Sequence, residues 1–288
     1  MSRISSDLIR YVLDERSAEA VIRVTTFDMY ESITDGFAEL YIIVIEKLCK
    51  QVEVKNFVIN SKDVQVRWID KQYFNHIMEN RFHRRLIQWV LQGEIISDHN
   101  GYIQAIKSKF YTYPSVLQQR TICIEFTHFL RRYLEAKEYL NTGHLLDSYN
   151  SMLRALHHWA RLTIIKAGEV PETIVWQQVL KIDYAVYKLY EELITASDSL
   201  EKRVELLLLA CEFSVISEMA QSSEFLFSIM QKRQGAWSVD ELLHHPDFQG
   251  VKFNLILLLE KLVERSLIEA IQVRTEYGIE KMYMCEPT

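Results

Sequence analysis

The chain reads as α+β and mostly α: a small mixed-sheet domain over residues 1–112, a helical bundle over 113–233, and a short helix-and-hairpin end over 234–288. Three observations predict this. Hydrophobic period 2 and period 3.6 alternate up to about Phe110, the helical period then holds almost unbroken to Arg233, and β-rich flanks around Glu276-Tyr277-Gly278 close the chain. With 288 residues, 49% hydrophobic, 25% charged and only 8 Gly and 4 Pro, the chain has apolar material for more than one core and lacks the composition of a disordered protein.

Taken in order, residues 4–20 carry helical spacing, and Tyr41 to Ile45 is a β-branched run that predicts a buried strand. Runs 55–59 and 64–69 are strand-like, with Asn60-Ser61-Lys62-Asp63 as the turn between them. Helical patterns follow over 71–78 and 81–91. Gly93 to Ser97 is again strand-like, and Asp98 starts a turn toward Asn100-Gly101. Pro114 opens the helical region, in which 116–139, 145–166, 173–195, 200–220 and 223–232 are the expected helices and Pro171 marks a loop. Breaks as short as Asn141-Thr142-Gly143 predict antiparallel neighbours. Ser238-Val239-Asp240-Glu241 has the form of a capping box, Asn254 caps a second helix over 255–265, and 268–283 reads as a hairpin. Two helices followed by a hairpin predict a winged-helix-like domain.

Charge and cysteine usage narrow the function classes. A net charge of −6 argues against a molecule that attracts polyanions over its whole surface. Cys49, Cys123, Cys211 and Cys285 lie far apart with no metal-type spacing, which predicts reduced thiols in a cytoplasmic protein. The amino-terminal residues carry no signal-type apolar core, and no apolar run is long enough to span a bilayer, so no membrane partner is expected.

The chemistry-bearing segments start with Thr34-Asp35-Gly36-Phe37-Ala38-Glu39, an acidic entry to the 41–45 strand. Carboxylates at the mouth of a buried strand suit Mg²⁺ and a nucleoside triphosphate, because Mg²⁺ needs hard, rigidly placed oxygens beside phosphates. Asp35 and Glu39 are the candidate metal ligands, and a spacing of four along an extended chain puts both on one face. Asp70, at the end of the 64–69 strand, is the candidate third acid. Arg81, His83, Arg84 and Arg85 form the densest basic cluster of the first domain and offer bidentate phosphate contacts, against the plainer reading of a helix with one wet face. On the 145–166 helix, Asp147, Asn150, Arg154, His157, His158 and Arg161 form a polar stripe at spacings of three and four. Asn150, Arg154, His157 and Arg161 are the candidate nucleotide contacts there, on the expectation that the stripe faces the first domain; the plainer reading is structural hydrogen bonding. At the carboxy terminus Lys261 and Arg265 are balanced by Glu260 and Glu264, which favours a protein contact over a DNA reader.

These segments, read together, resemble the nucleotidyltransferase-like family of Firmicutes, the YgxA type. The resemblance is carried by Thr34-Asp35-Gly36-Phe37, by Arg84 to Gly93, by Ser148-Tyr149-Asn150 with Ala155 to Arg161, by Val186 to Leu193, and by Trp237-Ser238-Val239. It implies a degenerate nucleotidyltransferase-fold domain, a helical domain and a helix-turn-helix-like end. Active nucleotidyltransferases carry a Gly-Ser turn before an Asp-x-Asp pair; here Thr25-Thr26-Phe27-Asp28-Met29-Tyr30 occupies the turn's place and the pair is missing. The resulting expectation is a protein that binds a nucleotide or phosphorylated small molecule between the first and helical domains, with weak or absent transfer. If it is active, Asp35, Glu39 and Asp70 serve a Mg²⁺-dependent nucleotidyl transfer. The alternative is a non-catalytic regulatory or interaction protein whose winged-helix module contacts nucleic acid or a protein.

Overall fold

Five strands form the sheet of the amino-terminal unit: β1 (Ala18–Thr25), β2 (Glu39–Ile45), β3 (Val52–Ile59), β4 (Lys62–Asp70) and β5 (Glu94–Asp98). The computed structural model describes residues 18–25, 34–80, 83–110, 115–248, 253–276 and 278–285. The chain divides into two compact units, Met1–Thr112 and Tyr113–Thr288.

In the first unit the strand order is β3-β4-β2-β1-β5, with β2 and β4 parallel and every other pairing antiparallel. β2 lies at the centre, and Leu40 to Ile45 are buried throughout. A strand covered on both faces reads as a continuous apolar run, which is why it is legible in the sequence. The β3–β4 hairpin turns at Asn60 and Ser61, both at positive φ, as a two-residue loop of the primed type requires. α1 (Lys71–Asn80), α2 (Arg84–Gln92) and α3 (Tyr102–Phe110) accompany the sheet. α2 buries Leu86, Ile87, Trp89 and Val90 and leaves Arg84 and Arg85 exposed. Gly93, after α2, passes so close to β1 that a Cβ would lie 2.5 Å from Ile22 Cγ2 and 2.5 Å from the Trp89 carbonyl oxygen.

Two expectations are corrected here. The helix expected over 4–20 ends in strand, because Ala18 to Ala20 pair in β1; residues 4–17 lie outside the described residues. The 102–110 helix had no expectation at all.

The second unit is built on α4 (Ser115–Asn141) and α5 (Leu145–Lys166), joined by a three-residue turn, with α6 (Val175–Ile182), α7 (Tyr184–Thr195), α8 (Leu200–Ser222) and α9 (Glu224–Met230) packed around them. The single helix expected over 173–195 is two. Asp183 ends α6 in extended conformation, and its carboxylate caps α7 by accepting from the Ala185 and Val186 amides at 2.9 and 3.2 Å. The carboxy-terminal module consists of α10 (Val239–Leu243), α11 (Leu255–Glu264) and the β6 (Glu269–Thr275)–β7 (Gly278–Met284) hairpin. Ser238 and Glu241 make the capping box that their spacing predicts. Trp237 bridges Tyr283 of β7 through two backbone hydrogen bonds, and its indole N–H donates to the Met230 carbonyl at 3.0 Å. Phe126, Leu130 and Leu156 of the bundle share one apolar cluster with Trp237, Leu255, Leu258 and Tyr283 of the module. Among the described residues no helix is long and apolar enough to cross a membrane.

Candidate functional site

The acidic entry to β2 is a turn and not an extended chain. Asp35 and Gly36 have φ of 56° and 83°, and the Phe37 amide donates to the Thr34 carbonyl at 3.1 Å. Two consecutive left-handed residues make a type I′ turn, which Asp-Gly accepts at low cost. The strand alternation expected between Asp35 and Glu39 therefore does not apply.

Asp35 points to guanidinium groups. Its Oδ1 accepts from Arg85 Nη1 at 2.5 Å, and its Oδ2 lies 3.6 Å from Arg67 Nη2. Arg67 stands opposite Ile42 of β2, lies over the Trp89 ring with its carbon 4.6 Å from the centroid, and donates from Nε to Gln65. Burial pulls its pKa down; Asp35 pulls the other way, and Arg85 adds to the fall. The guanidinium stays charged, because arginine starts far above neutral pH.

Glu39 serves a different group. Arg23 of β1 holds it through Nε and Nη2 at 3.2 and 3.0 Å, and the Tyr41 hydroxyl donates to it at 2.7 Å. Burial pushes the carboxyl upward, but the Tyr41 and Arg23 hydrogen bonds outweigh it and the pKa falls. Arg23 rises correspondingly, its ties to Glu39 overcoming its own burial. Arg23 registers with Tyr41, and Arg67 with Ile42, so the two arginines stand on opposite faces of the sheet. Asp35 and Glu39 are thus committed to opposite faces.

Asp70 is remote from both. Glu39 pairs with Val64 and Ile45 with Asp70 along the parallel β2–β4 ladder, which puts Asp70 about 20 Å from Glu39 at 3.3 Å per residue. Its carboxylate accepts from the Leu48, Gln72 and Tyr73 amides and caps α1; those bonds lower its pKa. The structure does not bring the three acids together. Among the described residues no group of three or more His, Cys, Asp or Glu side chains is placed to hold a metal ion. Each candidate carboxylate is already satisfied by guanidinium or amide donors, so this donor set does not fit Mg²⁺. Arg81 and residues 26–30 lie outside the described residues.

On α5 the polar stripe changes character along its length. Asp147, Asn150 and Arg154 are exposed, His157 is half-buried, and Arg161 is buried. Glu125 of α4, itself buried, takes Arg161 Nη2 on one carboxylate oxygen and His158 Nδ1 on the other, the latter at 2.9 Å. Arg161 is therefore a core ion-pair partner, its Nε buried and without a hydrogen-bond partner. His158 stacks on His128 at 5.2 Å, and His157 meets the edge of Trp176, which stacks on Tyr190 at 3.8 Å. The mixed donors and acceptors of the stripe arise because its two halves serve different environments.

Sequence reasoning passed over Arg23, Arg67 and Glu125. A signal existed for two of them: Gln65 and Arg67 alternate with Val64, Val66 and Trp68, and Glu125 stands between Ile124 and Phe126 in an apolar helix turn.

Comparison with known proteins places these units. Residues 1–118 match the family described as Nucleotidyltransferase-like, residues 119–218 the YgxA-like substrate binding domain, and residues 224–283 a Helix-turn-helix domain. A crystal structure of a nucleotidyltransferase-like protein from Exiguobacterium sibiricum 255-15 superposes with a TM-score of 0.82 at 26% identity, covering 98% of each chain. The uncharacterized protein YgxA of Bacillus subtilis (strain 168) is 32% identical over 274 residues, 94% of this chain and 93% of that protein. A nucleotidyltransferase-like unit, a YgxA-like helical unit and a helix-turn-helix end follow one another over nearly the whole chain, which therefore belongs to the YgxA family of nucleotidyltransferase-like proteins.

Proposed function

We propose that this protein uses a nucleotidyltransferase-like fold to bind a nucleotide or another phosphate-bearing small molecule in the cytoplasm, with nucleotidyl transfer weak or absent. The observation that carries this reading is the pairing of Asp35 with Arg85 and Arg67. Where a transferase would hold a metal between carboxylates, this chain presents guanidinium groups, with the exposed Arg84 beside them on α2. Arginine forks match phosphate oxygens, and an incoming phosphate exchanges with the Asp35 carboxylate. In the helical unit Asn150, Arg154 and His157 are the proposed polar contacts, and Arg161 takes no part because Glu125 holds it.

The helix-turn-helix end supports this choice of ligand over nucleic acid. Lys261 pairs with Glu264 and Lys281 with Glu260, both at 2.6 Å, so few cations remain for phosphate neutralisation there.

Calorimetry with a panel of nucleotides, with and without Mg²⁺, tests the reading. Arg85→Ala is expected to weaken binding by about 1.5–3 kcal/mol, the worth of a hydrogen bond to a charged group. Incubation with labelled triphosphate and candidate acceptors is expected to show little turnover. Robust Mg²⁺-dependent transfer that Asp35→Asn abolishes would replace this reading with a working transferase.

A further inference from the structure

α8 is apolar on two sides. One side, with Val204, Leu207, Cys211 and Met219, belongs to the bundle core. On the other side Leu206, Leu209, Phe213 and Ile216 are 54, 65, 75 and 47% exposed. Their spacings of three, four and three align them along one seam, as in the a and d positions of a helix that packs against another. Together they leave on the order of 400 Å² of apolar surface in water, at the scale where the largest patch on a monomer is often functional.

A groove of about 210 Å³ adjoins this seam and shares Ile216 with it. Its apolar walls include Leu130 and Leu134 of α4 with Val215 and Met219 of α8. Its rim carries both charges: Lys137, Lys261 and Arg265 with Glu212 and Glu264. A cavity of roughly 150 Å³ holds benzene, so the groove has room for a phenyl ring. The most exposed side chain of the seam, Phe213, is such a ring.

We propose that this face is a self-association surface, on which two copies of the chain pack seam to seam about a two-fold axis and Phe213 of each enters the groove of the other. A projection and a matching recess on one face satisfy the requirement of an isologous contact, in which the same patch serves both partners. Rim charge selects the same occupant. A peptide of one sign would meet repulsion along half the rim, whereas a second copy, turned about the axis, brings acids and bases in equal measure to both sides. Two seams with groove walls and rims approach the roughly 1,200–1,600 Å² in total that specific stable interfaces bury.

Sedimentation equilibrium of the full chain up to about 100 µM is expected to show reversible doubling of mass and no larger species, since an isologous contact closes at two. Phe213→Glu and, separately, Leu209→Lys are expected to weaken association at least 100-fold while leaving the circular-dichroism melting midpoint of the monomer unchanged. A monomer throughout that range would overturn the proposal. So would open-ended assembly, or two folded variants that dimerise like the parent.

Discussion

Glu125 shows how one side chain decides the fate of several others. Its carboxylate lies under α5 and receives both Arg161 and His158, so two members of the polar stripe are spent on the core. Removing the acid leaves a buried guanidinium without its counter-charge, and breaking a buried pair by deleting one partner typically costs about 3–5 kcal/mol. Glu125→Ala is therefore expected to lower the free energy of urea unfolding by that order. Replacing the pair together, Glu125→Leu with Arg161→Met, is expected to recover most of the loss, because no charge is then stranded. A loss as large in the double variant would mean that the site depends on shape and not on charge balance. Arg67 and Asp35 make the contrasting case in the first unit: their pair is half open to water, where a phosphate can reach it.

Among the elements, α10 has five residues and depends on its ends. Glu241 closes the capping box on the Ser238 amide and receives both terminal nitrogens of Arg233 at 2.8 and 2.7 Å. Arg233 first, and the Ser238 backbone next, hold the carboxyl at about 2, well below its ordinary 4.5. A folded-state pKa below the unfolded value gives stability that is present above the unfolded value and is lost as pH falls toward the folded one. The difference in urea midpoint between the parent and Glu241→Gln is thus expected to be constant near neutrality and to close between about pH 4.5 and about pH 2. A pH-independent difference would show that the glutamate acts through packing alone. The α6–α7 break follows the same logic: a single carboxylate at Asp183 satisfies two amides and makes it favourable to end one helix and begin another.

For the molecule as a whole, the helix-turn-helix end is stitched to the bundle. Trp237, Leu255, Leu258 and Tyr283 belong to the same apolar cluster as Phe126 and Leu156, and the Asn254 amide lies 3.4 Å from Thr127 Oγ1. A segment that shares its core cannot bury enough surface alone. Residues 234–288 expressed by themselves are expected to show no cooperative thermal transition, while residues 113–288 unfold in one step by calorimetry. Independent two-state unfolding of the short fragment would make it a separate domain.

What the sequence determined by itself is the order and type of most elements, because helix and strand periods are local. α5 spans Leu145–Lys166, as its spacing predicts, and β2 is plain from its β-branched run. β1 was hidden, since Ala18-Glu19-Ala20 continues a helical pattern and becomes strand only by pairing with β2 and β5. Only the tertiary structure decided the candidate site. Asp35 meets Arg85 across 50 residues and Glu125 meets Arg161 across 36, and sheet register alone separates Asp35 from Glu39. Charge partners at such separations leave no periodic trace in a sequence, because what joins them is the path of the folded backbone and not the spacing along the chain.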